Sequence, residues 1–266
     1  MLPRITVSLP RSPFLGRKRL LRVATLCGAD GIDFDLQDRF GRIGHPPGPG
    51  LAVDGVPVVS ISLEVSDLEL LNSDRMHGFQ PPTHSFQSII VKLPAADDSR
   101  VDHAAANAVA KFARSWLPTS AIVLSVPAVV NDDGRAHLAR MRRLTRLTEE
   151  WDFTVGIELD RRADPKWEAE AAVHIAGERL AFVRFSTSVF HPRKLRGDLA
   201  MRVLRACADA DFGGSIAIMP DVSLWQARSP NTLADSFSHH RGVVRHMFLG
   251  HAAPMRISHD QSVHLR

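Results

Sequence analysis

Tyrosine is missing altogether from this 266-residue chain, which removes a favoured side chain of the stacking platforms used to hold unpaired bases. Cysteine is nearly missing. Cys27 and Cys207 lie far apart, with neither metal-binding CxxC spacing nor a disulfide framework, so they read as buried free thiols in a reducing compartment. No window approaches the roughly 18 uninterrupted apolar residues a membrane helix needs. The opening MLPRITVSLPRSP has no apolar leader core, and the expected location is cytoplasmic. The basic excess, 33 Lys and Arg against 29 Asp and Glu, is spread through the predicted helices and forms no block. It reads as a solvated surface, and nucleic acid is not an expected partner. HExxH is absent, as are GxSxG and any cysteine in an electropositive motif, so zinc-protease and acyl-transfer chemistry have no support.

Short β-branched runs alternating with longer amphipathic stretches fill most of the chain. The predicted strands are Ile5–Leu9, Gly31–Leu36, Val58–Leu63, Ile89–Leu93, Ala121–Val126, Phe153–Leu159, Leu180–Phe185 and Ser215–Met219. Helical spacing predicts helices over Arg17–Cys27, stopped by Gly28, and over Val101–Trp116, Arg135–Trp151 and Leu195–Ala210. A further helix is expected to open at Asp164 and Pro165, as N-cap and first helical residue, and to run to about Ile175. The Val101–Trp116 helix is expected to bury Val101, Ala104, Ala105, Ala108, Val109 and Phe112. Strict strand–helix alternation implies a parallel sheet, and eight repeats suffice to close it. An open doubly wound sheet predicts a glycine-rich turn after the first strand, whereas the sequence reads SLPRSPFLG, without GxGxxG or GxxxxGK[ST]. The fold class is therefore an α/β (β/α)8 barrel of residues 1–250, with a tail over 251–266. Pro/Gly-rich stretches between residues 41 and 87 leave the helices after strands two and three short or replaced by loops.

Alternation along each strand divides its side chains between the helical layer and the barrel lumen. Apolar residues claim one set on most strands. That leaves Thr6 and Ser8 facing inward from strand one, Asp33 and Asp35 from strand two, and Ser60, Ser62 and Glu64 from strand three. Lys92 faces inward from strand four, and Thr154, Gly156 and Glu158 from strand six. Strands five and seven are apolar on both sets and give no phase, although Arg184 is a charged candidate on strand seven. Barrel lumens are normally filled by branched apolar layers, and barrel chemistry sits at the C-terminal rim. Charges gathered there must pair with each other, hold a ligand or meet water.

The run ITVSLP, the helix RLLRVATLCGA and the strand DGIDFDL resemble the first strand, first helix and second strand of the xylose-isomerase-like barrel superfamily of sugar-phosphate isomerases and epimerases. RAHLARMRRLTRLTEEWDFTVGIELD resembles that family's long helix and the strand ending in a metal-binding Glu. LRGDLAMRVLRACADADFGGSIAIM resembles its last helix, glycine turn and last strand. The resemblance places Asp33 at the family's second-strand acid and Glu158 at its mid-chain metal-binding Glu. It places Arg184 and Ser186 where a His and an acid are usual, and Met219 where the last strand usually carries a Glu. It thus implies a divalent metal ion with Glu158 among its ligands, in an incomplete ligand set.

The expected function is carboxylate-mediated proton transfer on a sugar or sugar phosphate. Glu158 would be the base and Lys92 would polarise a carbonyl or enolate. Asp33, Asp35 and Glu64 would orient hydroxyls, and Arg184 would meet an anionic group. Two other readings stay open. One is a non-catalytic binding or scaffold barrel, with Lys92 paired to Glu64 or Asp35. The other is a Schiff-base lyase of aldolase or type I dehydroquinase kind, built on Lys92. His239, His240, His246 and His251 read as a surface cluster rather than a metal site.

Overall fold

The computed structural model describes residues 2–9, 22–23, 25–35, 52–53, 56–65, 87–95, 98–116, 121–129, 136–160, 162–190, 196–220 and 229–252. Eight parallel strands form the barrel: β1 (Arg4–Leu9), β2 (Gly31–Asp35), β3 (Val56–Glu64), β4 (Ser88–Lys92), β5 (Ala121–Pro127), β6 (Thr154–Leu159), β7 (Leu180–Ser186) and β8 (Ser215–Met219). Each pairs with its neighbours in chain order, and β8 returns to β1 through the register Arg4 to Ser215 and Val7 to Ile218. The ring is closed. Full closure removes the exposed backbone edges that an open sheet leaves. Ala52–Val53 adds a short antiparallel pairing to the start of β3, within the stretch expected to lack helix.

The strands form where β-branched residues meet a two-sided buried position. Ile5, Val7, Ile61, Leu63, Ile89, Val91, Val155, Ile157, Val183, Ile216 and Ile218 are all buried between sheet and helices. Each such side chain removed from water stabilises by roughly 1.5–3 kcal/mol. The predicted strands and the described ones coincide to within two residues at each end. At the base of the barrel, Gly214 must be glycine, because a Cβ there would stand 2.4 Å from the Ala181 carbonyl oxygen. Gly28, at φ +57°, ends the first helix as its position predicts.

Five described helices cover the sheet: α1 (Ser99–Trp116), α2 (Ala136–Trp151), α3 (Ala169–Ala176), α4 (Arg196–Asp209) and α5 (Pro230–Ala252). Residues 22–23 and 25–26 are helical as expected, and the rest of the Arg17–Cys27 prediction lies outside the described residues. Two expectations are corrected. The helix expected from Asp164 begins at Ala169, because Asp164 instead closes a separate turn: its side chain accepts the Lys166 amide at 2.8 Å and its carbonyl accepts that of Trp167. Of the expected face of α1, Ala105 and Val109 are buried, Val101 and Ala108 are half-buried, Ala104 is exposed and the Phe112 side chain lies outside the described residues, while Asp102, Ala106 and Ala110 complete the buried face. The long helix α5 was not among the predicted helices, and it ends at Ala252. Residues 253–266 lie outside the described residues.

The shift in α1 has an electrostatic cause. Asp102 receives a two-pronged bond from buried Arg140 of α2, Nε at 3.1 Å and Nη2 at 2.7 Å, while Nη1 reaches the Pro94 carbonyl. Such a pair is expensive to break, because one partner's removal strands the other's charge in the interior. Replacing Asp102 with Ala is therefore expected to cost about 3–5 kcal/mol in urea unfolding, whereas the double variant Asp102→Leu/Arg140→Met recovers most of it. A double variant no better than the single one would show that the pair is not the cause. Burial pushes both thiols up to about 12, so native protein at pH 8 is expected not to react with an aromatic disulfide reagent. Unfolding should release both thiols, and fast labelling of the native chain would contradict their burial.

Candidate functional site

The lumen is layered. At its middle, Ile90, Val123, Phe182 and Ala217 form an apolar plug separate from the main core. Above the plug, toward the C-terminal ends of the strands, the inward residues turn polar. Register explains why: Ser8 pairs with Asp33, Asp33 with Ser60, Lys92 with Ser125, and Glu158 with Arg184. Parallel pairing in this register brings polar side chains from different strands to similar heights in the lumen.

Arg184 of β7 joins the two sides of this layer. Its Nη2 donates to Asp33 Oδ2 at 2.6 Å and also to the Ser62 hydroxyl, and its Nη1 donates to Glu158 Oε1 at 3.0 Å. The guanidinium lies 5.3 Å from the centroid of the Phe182 ring, over the apolar plug, in reach of a cation–π contact. Asp33 is wholly buried and engaged on both oxygens: Ser60 and Ser62 donate to Oδ1 at 2.8 and 2.9 Å, and Ser8 donates to Oδ2 at 2.8 Å. Burial opposes its charge. The Arg184 guanidinium and the serine hydroxyls outweigh that cost and hold the carboxyl below its ordinary range.

Glu158 is the last inward residue of β6, with its side chain 15% exposed against 4% for Arg184, so the carboxylate stands between the buried network and the mouth. Glu64 and Lys92 are register partners on β3 and β4 and are both partly buried. The loop after β6 brings a further pair that phasing of the strands missed. Arg162 donates from Nε and from its backbone amide to the Asp160 carboxylate, at 2.8 and 2.7 Å. That bond chiefly, against the opposing effect of burial and with smaller help from the charges of Asp160, Glu64 and Glu158, raises the pKa of Arg162. The signal was available: Asp160 and Arg162 in ELDRR follow directly on a strand end, where barrel loops carry function. Asp35 extends β2 beside Ser62, and its side chain lies outside the described residues.

Two lumen hydroxyls, Thr6 Oγ1 and Ser125 Oγ, are buried with no hydrogen-bond partner among the described residues. Next to Ser125 the chain has Gly156, where a Cβ would stand 3.0 Å from the Ser125 hydroxyl. The glycine keeps space open beside a free hydroxyl, two residues below Glu158 on β6.

A divalent ion fits this donor set poorly. Hard cations need several oxygens or imidazoles converging at about 2.0–2.6 Å. Glu158 Oε1 and Asp33 Oδ2 instead converge on a guanidinium, and Met219 ends β8. Among the described residues no group of three or more His, Cys, Asp or Glu could hold a metal ion. His239 and His246 are exposed on α5 and His240, half-buried, hydrogen-bonds the Ser236 carbonyl. A cavity of about 780 Å³ opens at the opposite end of the barrel beside Arg4, Asp30, Gln87 and Arg245. It is remote from the strand C-termini where barrel chemistry is done.

A closed (β/α)8 barrel with a charged C-terminal mouth is thus the class the fold defines. No protein-family model matches the sequence, and no curated protein is recognisably similar to it. Solved structures do share the fold. D-psicose 3-epimerase from Clostridium cellulolyticum H10, determined with D-tagatose, is similar at TM-score 0.58 and 9% identity, over 92% of this chain and 99% of that one. An L-ribulose 3-epimerase is similar at TM-score 0.57 and 14% identity, over 94% and 96%. A xylose isomerase-like TIM barrel/4-hydroxyphenylpyruvate dioxygenase fusion protein is similar at TM-score 0.54 and 13% identity, over 93% of this chain and 45% of the fusion. The expected likeness to xylose-isomerase-like barrels therefore holds for the fold. No described helix is long and apolar enough to cross a membrane.

The lowered Asp33 carboxyl has a pH consequence. A group whose folded pKa is depressed contributes stability that is complete above its unfolded value, about 3.9, and lost as pH falls through the folded value. Wild type is therefore expected to exceed Asp33→Asn in unfolding free energy by about 3–5 kcal/mol at pH 7, with the gap shrinking below pH 4. A gap that stays constant down to pH 3 would mean that Asp33 is not held as an anion.

Proposed function

We propose that the chain is a sugar- or sugar-phosphate-directed isomerase or epimerase that moves a carbon-bound proton with a carboxylate. Glu158 is the base. Of the two carboxylates bound by Arg184 it is the one that also reaches the mouth, and that geometry is the observation on which the proposal rests. The guanidinium holds one oxygen in place, so that the other is presented in a fixed direction, which is what efficient proton abstraction requires. Lys92, on the strand beside Ser125, supplies the positive charge toward which a carbonyl or enolate oxygen would turn. Glu64, with Asp35 on the neighbouring strand, orients substrate hydroxyls, and the unpartnered Ser125 hydroxyl beside Gly156 offers one more polar contact. Asp33 acts through Arg184 and not on the substrate directly. Arg162, two-thirds exposed at the same mouth, suits a phosphate or other anionic group. The likeness to sugar 3-epimerase structures supports the choice of a sugar but adds nothing about the reacting residues.

A second reading is favoured by one feature. The Asp33–Arg184–Glu158 chain satisfies itself, as a structural ion network in a non-catalytic binding barrel would. Solvent exchange separates the two. In D2O, wild-type protein given D-psicose, L-ribulose or their phosphates is expected to place deuterium on the carbon next to the carbonyl, read by NMR. Glu158→Gln is expected to slow this by about 10²–10⁴-fold while the protein still melts cooperatively. Wild type that is stabilised by a sugar but exchanges no proton would sink the catalytic reading in favour of the binding barrel.

A further inference from the structure

Two carboxylates and three hydroxyls, from Asp33, Glu158, Ser8, Ser60 and Ser62, surround one small volume of the lumen. Oxygen donors of this kind, drawn from four strands around a closed ring, are the chemistry that holds a hard cation. The cation present is part of the chain. Arg184 is 4% exposed, its two terminal nitrogens are spent on the two carboxylates and Ser62, and its plane rests over Phe182. We propose that the Arg184 guanidinium is the resident cation of this site, covalently supplied, and that the site consequently excludes a divalent metal ion.

Three physical points carry this. First, a metal ion bound by Glu158 would lie within a few ångströms of a guanidinium that is always charged, in an interior where like charges repel strongly. Second, the guanidinium is planar and offers its nitrogens in a fixed fork. It can therefore bridge oxygens on β2 and β6, at 2.6 Å and 3.0 Å, while also reaching the Ser62 hydroxyl on β3, without the convergence an ion requires. Third, its aliphatic stem and its ring contact suit the apolar plug below it, where a hydrated ion would be poorly solvated. Arg184 is thus a positioning residue: it orients Glu158 and is itself oriented by Asp33 and the serines.

The inference stands on the lumen geometry and not on the sugar chemistry proposed above, and its test reads cation occupancy alone. Full-length protein treated with EDTA and dialysed is expected to contain far less than one equivalent of any divalent metal, and 1 mM Mn2+ should leave its melting temperature unchanged. Arg184→Ala leaves the two carboxylates without their cation. It should melt lower and be stabilised in a saturable way, by about 5 °C or more, on addition of Mn2+ or of millimolar methylguanidinium. Arg184→Ala/Asp33→Asn should lose the Mn2+ response. Wild type that carries a stoichiometric metal ion, or that Mn2+ stabilises unless Glu158 is changed to Gln, would overturn the proposal. So would a folded Arg184→Ala that responds to neither cation, since a merely structural arginine predicts that result. If Arg184→Ala does not fold, the wild-type metal content and Mn2+ response decide alone. Failure of sugar exchange with these results intact would reject the sugar reading and leave the internal cation standing.

Discussion

A guanidinium held between two carboxylates inside a closed ring of strands is the constraint on which this molecule's chemistry depends. Asp33 and Arg184 are 151 residues apart, and neither could be left in the barrel alone, because an unpaired buried charge costs several kcal/mol. Together, and supported by Ser8, Ser60 and Ser62, they replace the hydration each loses. The apolar plug of Ile90, Val123, Phe182 and Ala217 closes the lumen beneath them and lowers the local dielectric, which strengthens every bond in the network.

The same arrangement divides the barrel by function. Below the plug lie Gly214, the Arg4 amide bonded to its carbonyl at 3.1 Å, and the Asp30 side chain accepting the Ile5 amide at 3.0 Å. These contacts tie the strand starts together. Above the plug, Glu158 stands with one side in the network and one toward solvent, and Glu64, Lys92 and the Asp160–Arg162 pair lie at or just past the same ends of their strands. A group anchored on one side and free on the other is pre-organised, and this is the difference between a charge that stabilises a fold and one that can act on a ligand.

Much of this was legible in residue order. All eight strands were visible because β-branched residues recur in short runs, and the inward phase of strands two, three, four and six followed from period two. Strand seven could not be phased, since Phe182, Val183 and Phe185 are apolar on both of its faces. The inward turn of Arg184 became evident only when Asp33 and Glu158 were placed beside it. The misplaced face of α1 has a similar origin. Asp102 reads as a surface residue until Arg140 of the next helix is brought against it, and α5 carries too little apolar period to be seen at all.

What the sequence determined by itself is the local and the periodic: strand and helix order, the stop at Gly28, and the gathering of acids at strand ends. These depend on backbone preference and on which face of an element is apolar, and both are properties of neighbouring residues. Which charges meet was decided by tertiary structure alone. Closure of the ring sets the register that brings residue 33 to residue 184 and residue 158 to both, and no short-range pattern encodes a contact whose energy exists only once water has been excluded from between the partners.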